Sequence, residues 1–271
     1  MVDLCLRWAV NCAGWTPTRM EWPRAMASIQ LEEAERIRGF MFSRDAKLAL
    51  VRCCHTHTIS LTAILRQTVS RLNALPAGTS IHFNISHHGK YVVLATESTP
   101  VGVDVMELVR PRAKSAPEFF HTMRRQFTEG EWHAIRAPCT EEGQLAQFYR
   151  HWCLKESYIK ADGTGLSYGL EKLHFEIDPT WPPSIGKVIT GSQLFINSVH
   201  AAEWQFEESL IDSEHCVAVT THHSTQRSHQ VVFVERTVPQ ILLPLCPLRD
   251  PQEWEWDRFS TQLDNALRNL I

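Results

Sequence analysis

The chain has 271 residues, enough for one large domain or two modest ones with a well-buried core. It is 44% hydrophobic and 21% charged, an ordinary globular balance, and its net charge of −3 argues against bulk attraction to nucleic acid or membrane. No apolar run approaches the ~18 residues of a membrane span, and Asp3 and Arg7 interrupt the N-terminal apolar positions, so no signal peptide is expected. Eight cysteines without a C-x-x-C pair point to free thiols in a reducing cytosol.

Residues 7–10 predict a strand, and a helix begins after the turn at Thr16-Pro-Thr18. Gln30–Arg38 has an acidic first turn and later basic residues, which complements a helix dipole. A further helix runs through Arg44–Lys47. Ile81–Ile85 and Tyr91–Ala95 predict strands joined by the polar turn 86–90. Val101–Val105 predicts a strand, and Thr128 with Glu131 three positions on predicts a capped helix. A long helix through 148–161 should stop at Gly163-Thr-Gly165, with strands near 172–177, 193–197, 203–208 and 215–220. Beyond 222, Val231–Glu235 is strand-like, four prolines from Pro239 to Pro251 argue against regular structure, and the last part of 253–271 is helical in pattern. The expected division is 1–100, 101–221 and a partly disordered tail, 222–271. Short acidic helices before 42–47 and before 152–157 form a weak internal repeat.

Two strings stand out. Val101-Gly-Val-Asp-Val-Met106 is an apolar strand broken in polarity at Asp104. Trp152-Cys-Leu-Lys-Glu-Ser-Tyr-Ile-Lys-Ala161 places Glu156 and Lys160 on one helix face, ordinarily a solvated pair contributing a few tenths of a kcal/mol. Two carboxylates and a lysine also suit Mg²⁺ clamping a pyrophosphate, since that ion takes one or two carboxylates plus phosphate oxygens. With Arg7–Val10, Phe42–Lys47, Phe83–Gly89 and Glu118–Phe127, these strings resemble the signatures of the long (Sfp-type) 4′-phosphopantetheinyl transferases, over residues 7–47 and 81–220.

That resemblance implies an α+β fold of two pseudo-twofold lobes with a ligand cleft between them. It implies transfer of 4′-phosphopantetheine from coenzyme A to a carrier-protein serine, releasing adenosine 3′,5′-bisphosphate. Asp104 and Glu156 would hold Mg²⁺, Lys160 would contact the pyrophosphate, and Glu156 or a water on the metal would take the serine proton. Arg44, Asn84, Ile85, Ser86 and His87 would contact coenzyme A. Met106 replaces an acidic residue of some bacterial members, and His88 is a poor substitute as a magnesium ligand. Arg110, Arg112, Lys114, Arg124 and Arg125 form either a docking face for acidic carrier domains, of fatty-acid synthase or aminoadipate-semialdehyde dehydrogenase type, or a solvated basic face. A monomeric, cytosolic enzyme is expected, with no nucleic-acid or membrane partner.

The resemblance breaks across 48–80, which has no lysine where the family has a cationic loop for the coenzyme's 3′-phosphate. The segment is a folded replacement, a misassembled transcript or the mark of an inactive form; good matches on both flanks favour the second. The alternative function is therefore a non-catalytic, carrier-binding variant with an impaired coenzyme A site. Cys53-Cys54-His55-Thr-His57 is too compact for the separated pairs of structural zinc sites. Cys153 is expected as a packed thiol.

Overall fold

A computed structural model describes residues 5–70, 81–110, 115–165, 169–222 and 230–268, with the side chains of 57–70 and 262–268 outside that description. The elements in order are β1 (Leu6–Asn11), α1 (Glu21–Ala27), α2 (Leu31–Arg38), α3 (Ser43–Ser70), β2 (His82–His88), β3 (Tyr91–Glu97) and β4 (Val101–Glu107). Then come α4 (Ala116–Met123), α5 (Glu129–Arg136), α6 (Glu141–Asp162), β5 (Leu173–Glu176), β6 (Val188–Ile189), β7 (Gln193–Ile196) and β8 (Val199–His200). The chain closes with β9 (Trp204–Asp212), β10 (His215–His222), β11 (Val234–Arg236), α7 (Val238–Leu242) and α8 (Trp254–Arg268). Helices and largely antiparallel sheets together make an α+β fold.

The described residues pack as two compact units, one drawn from 1–8, 80–89 and 93–234, the other from 9–79, 90–92 and 235–271. The expected boundaries lie at 100/101 and 221/222; here 5–8, 81–89 and 93–100 belong with the unit that carries both signatures, and residues 235–268, expected as part of a tail, pack with the N-terminal helices instead. The physical reason is aromatic and ionic. Trp22 of α1 stacks on Phe259 of α8 at 3.7 Å, and Arg38 of α2 pairs with Glu255. A further difference is α7, which forms despite Pro239. Proline is tolerated there because it occupies the first helical turn, where its missing N–H would have no partner anyway, and Thr237 caps it through Gln240.

In the second unit α3 continues unbroken through Ser70, burying Leu48, Leu50, Val51 and Cys54. Lys47 is buried as well, its ammonium donating to the Trp15 and Ala13 carbonyls. Residues 71–80 lie outside the described residues.

In the first unit a sheet of order β4–β10–β9–β6 is antiparallel throughout its pairings, with Asp104 opposite Ala218. Helix α6 lies on β4 and β10. It starts at Thr140, whose hydroxyl accepts from the Gly143 N–H, with Glu141 and Glu142 complementing the positive end. It ends at Gly163, whose left-handed φ of 78° costs glycine little and lets its N–H close on Ile159. An aromatic cluster around Phe120, Phe127, Trp132 and Phe148 fills the space between α4, α5 and α6. Burying each such side chain stabilises the fold by about 1.5–3 kcal/mol.

Candidate active site

Gly102 sets the distance between strand and helix. A Cβ there would collide with the Ser157 carbonyl and the Ala161 backbone of α6, so only glycine allows the helix to lie this close. Asp104, two residues on, points to the same face by strand alternation. Its carboxylate is buried, and Oδ1 accepts from the Ser86 hydroxyl at 2.7 Å and the Lys160 ammonium at 2.6 Å. Lys160 also donates to Ser86 Oγ at 2.9 Å and to the Val103 carbonyl at 3.1 Å. Lys160 therefore pairs across the strand with Asp104, rather than one turn back with Glu156.

The other oxygen, Asp104 Oδ2, is buried with no hydrogen-bond partner among the described residues. A buried carboxylate oxygen without a partner needs an explanation. Glu156 supplies one. Burial raises its carboxyl above the ordinary glutamate value, the negative charge of Asp104 raises it further, and Lys160 opposes both. Two carboxylates that repel each other, one with an orphaned oxygen, form a donor set of hard oxygens. That chemistry fits Mg²⁺.

The remaining expected residues are distributed as follows. Asn84 of β2 anchors β4 by accepting the Val103 N–H at 3.1 Å, which fixes its side chain within the protein. Ile85 is half-buried beside it, and His87 is exposed on the same strand. Ser86, expected to face phosphate, is buried against Asp104 and Lys160; alternation on β2 sends Ser86 inward and His87 outward. His88 Nδ1 accepts the Glu107 N–H at 2.8 Å. Arg44 is exposed near the start of α3 in the second unit. Cys153 is buried, its thiol raised by burial and donating to the Asp104 carbonyl at 2.9 Å, as suits a packed thiol.

Among the described residues one group of three potential ligands has its ligand atoms close together, Asp212, Glu214 and His215. It is a turn: Asp212 Oδ1 accepts from Glu214 N and meets His215 Nδ1 at 2.9 Å. Cys53, by contrast, is bonded to Glu33 at 3.2 Å, and the side chain of His57 lies outside the described residues. Arg124 and Arg125 line an open basic trough of about 700 Å³ with His121, Arg136 and Gln144, floored by Phe120 and Trp132. Arg110 pairs with Glu141, and Arg112 and Lys114 lie outside the described residues.

Sequence reasoning missed Lys155, which lies in the signature helix but turns away from the site. It forms a 2.7 Å ion pair with Glu131, both side chains fully buried. Nothing in a basic-acidic dipeptide distinguishes which of its two charges faces the core; the buried acid in α5 does.

The chain is similar in sequence to known proteins. A model of the 4′-phosphopantetheinyl transferase superfamily matches residues 100–220, and an N-terminal 4′-phosphopantetheinyl transferase model matches 13–76. The L-aminoadipate-semialdehyde dehydrogenase-phosphopantetheinyl transferase of Mus musculus is 43% identical over 290 residues, spanning 97% of this chain and 94% of that protein. The Homo sapiens protein of that name is 42% identical over the same shares. The chain belongs to the 4′-phosphopantetheinyl transferase superfamily. A 4′-phosphopantetheinyl transferase of Bacillus subtilis is 31% identical over 159 residues, spanning 56% of this chain and 67% of that protein. The transferase's N-terminal match overturns the expected break across 48–80, because it runs on to residue 76. Its described buried face there is apolar, with Leu48, Leu50, Val51 and Cys54.

Proposed function

We propose that this transferase moves the 4′-phosphopantetheine arm of coenzyme A onto a serine of an acyl- or peptidyl-carrier protein, releasing adenosine 3′,5′-bisphosphate. What supports the reading is the Asp104–Lys160 pair where α6 lies on β4, with Asp104 Oδ2 lacking a partner and the charge of Asp104 acting on Glu156. Mg²⁺ held by Asp104 and Glu156 would supply charge neutralisation for the pyrophosphate. Lys160, partly exposed at 27%, has a long stem that lets its ammonium reach the leaving diphosphate as well as Asp104. Glu156 holds a proton more tightly than an ordinary glutamate, which suits it to accept one from the carrier serine. Asn84 and Ser86 hold the strand in place, and His87, exposed on the same strand, would contact the coenzyme's phosphates.

The basic trough at Arg124 and Arg125 supports docking of an acidic carrier helix, of the fatty-acid synthase or aminoadipate-semialdehyde dehydrogenase kind. Eight free cysteines fit a cytosolic setting, and no described helix is long and apolar enough to cross a membrane. Mass spectrometry of an apo carrier incubated with coenzyme A and Mg²⁺ tests the reading. The carrier should gain the phosphopantetheine mass, and should not when Mg²⁺ is chelated. Carrier binding without transfer would favour the non-catalytic alternative, which rests on the absence of lysine from 48–80.

A further inference from the structure

The Lys155 ammonium is caged. Besides Glu131 Oε2 at 2.7 Å it meets the carbonyls of Gln126 at 2.9 Å, Leu170 at 2.9 Å and Leu173 at 2.8 Å, and it sits 4.8 Å from the centre of the Phe127 ring. Its three protons face four acceptors, so nothing is left for a ligand. Glu131 is committed too, Oε1 accepting Phe175 N at 3.0 Å and Oε2 accepting Thr128 N at 2.8 Å. The cage thus draws on the end of the 3₁₀ turn 124–126, on α5, on the turn 170–172 and on β5, all around one point of α6.

A buried ion pair is weak evidence for stability, because its desolvation can cancel its attraction. Direction is what it adds. The apolar bed under α6 is non-directional and leaves rotation about the helix axis loosely defined. Lys155 precedes Glu156 in the chain, so a rotation of α6 that unseats the ammonium also re-aims the Glu156 carboxylate relative to Asp104. Gly102 fixes how close the helix lies, and the cage fixes which way it faces. Productive metal and catalytic geometry tolerates only about 0.5 Å or 10–20°.

We propose that Lys155 and Glu131 are a positioning pair that sets the rotation of α6 and so aims Glu156 at Asp104. This rests on the metal reading above. The test is calorimetric titration of coenzyme A at a series of Mg²⁺ concentrations, with no carrier present, on wild type, the double variant Lys155→Met with Glu131→Met, and Glu156→Gln. The double variant keeps the volume and removes both charges, but it orphans three backbone carbonyls and the Thr128 and Phe175 N–H groups, so it should fold with a melting temperature below wild type. It should need roughly tenfold or more Mg²⁺ for half-maximal coenzyme binding, and in a separate transfer assay at saturating Mg²⁺ its KM for carrier should match wild type. An unchanged Mg²⁺ requirement overturns the proposal. Glu156→Gln separates the two ideas: if it too leaves the requirement unchanged, the metal reading has failed; if it alone shifts the requirement, only the positioning role has failed. Should the double variant not fold, Glu131→Gln is measured in the same way. If that variant also cannot fold, the pair is purely structural and the proposal falls.

Discussion

Two faces of one helix treat their charges in opposite ways. On the buried face of α6, Lys155 meets a carboxylate and three carbonyls, and every proton it carries is used. Toward β4, Asp104 keeps one buried oxygen without a partner, and the Glu156 carboxyl is raised by burial and then by the charge of Asp104. The same dipeptide, Lys155-Glu156, supplies one residue to each side. Complete satisfaction fits Lys155 to serving the fold, and at Asp104 the missing partner together with a second carboxylate nearby suits the binding of a cation.

Substitutions should separate the faces. The largest effect is expected for Glu156→Gln, which should lower carrier modification by roughly a hundredfold or more while leaving the melting temperature equal or higher. A mass-spectrometric time course beside a thermal melt checks both halves, and near-normal turnover would dismiss the assignment of Glu156. Lys155→Met alone should behave in reverse, costing about 3–5 kcal/mol of stability because Glu131 stays charged and unpaired in the core. Denaturant titration measures it.

The two faces should also carry opposite pH signatures. Glu156 binds its proton more tightly folded than unfolded, so its contribution to stability is present below the ordinary glutamate value and is lost as pH rises through its folded value. The stability gained by Glu156→Gln should therefore grow between pH 4 and pH 7, and Mg²⁺ should stabilise the wild type more than the variant at the upper end. His151, one turn before Lys155, is held neutral by burial and pushed down to about 3. Its unfolded form takes up a proton near the ordinary value of 6.5, so stability is present above that pH and falls as pH drops toward 3. Urea unfolding of His151→Phe should show a flatter acid slope than wild type. A slope unchanged by the substitution would assign the acid sensitivity to another group.

A smaller effect tests the reading outside the helix. Arg124→Glu should raise the KM for an acidic carrier several-fold, within the ~1 kcal/mol of an exposed charge, with kcat retained. High salt should shrink the difference. If KM is unmoved at low salt, the trough is a solvated face and the docking site lies elsewhere.

Much of this was legible in the chain. The strand broken at Asp104, the helix bearing Glu156 and Lys160, the Thr128–Glu131 capping box and the stop at Gly163 all follow from local rules of periodicity and capping, and the structure has each of them. Local rules did not extend to partners. The same capping glutamate, Glu131, also reaches inward to Lys155, and a short-range pattern contains no term for that contact. Ser86 and His87 sit side by side in sequence, yet alternation buries one and exposes the other. The placement of 235–268 beside the first helices depended on aromatic contacts more than two hundred residues apart in the chain.

Sequence by itself determined the elements and the chemical types at the site, because propensity, capping and spacing act within a few residues. Tertiary structure alone decided which charge finds which partner. Burial makes each polar atom's satisfaction depend on neighbours far away in the chain, as the pairing of Lys160 with Asp104 and of Lys155 with Glu131 shows.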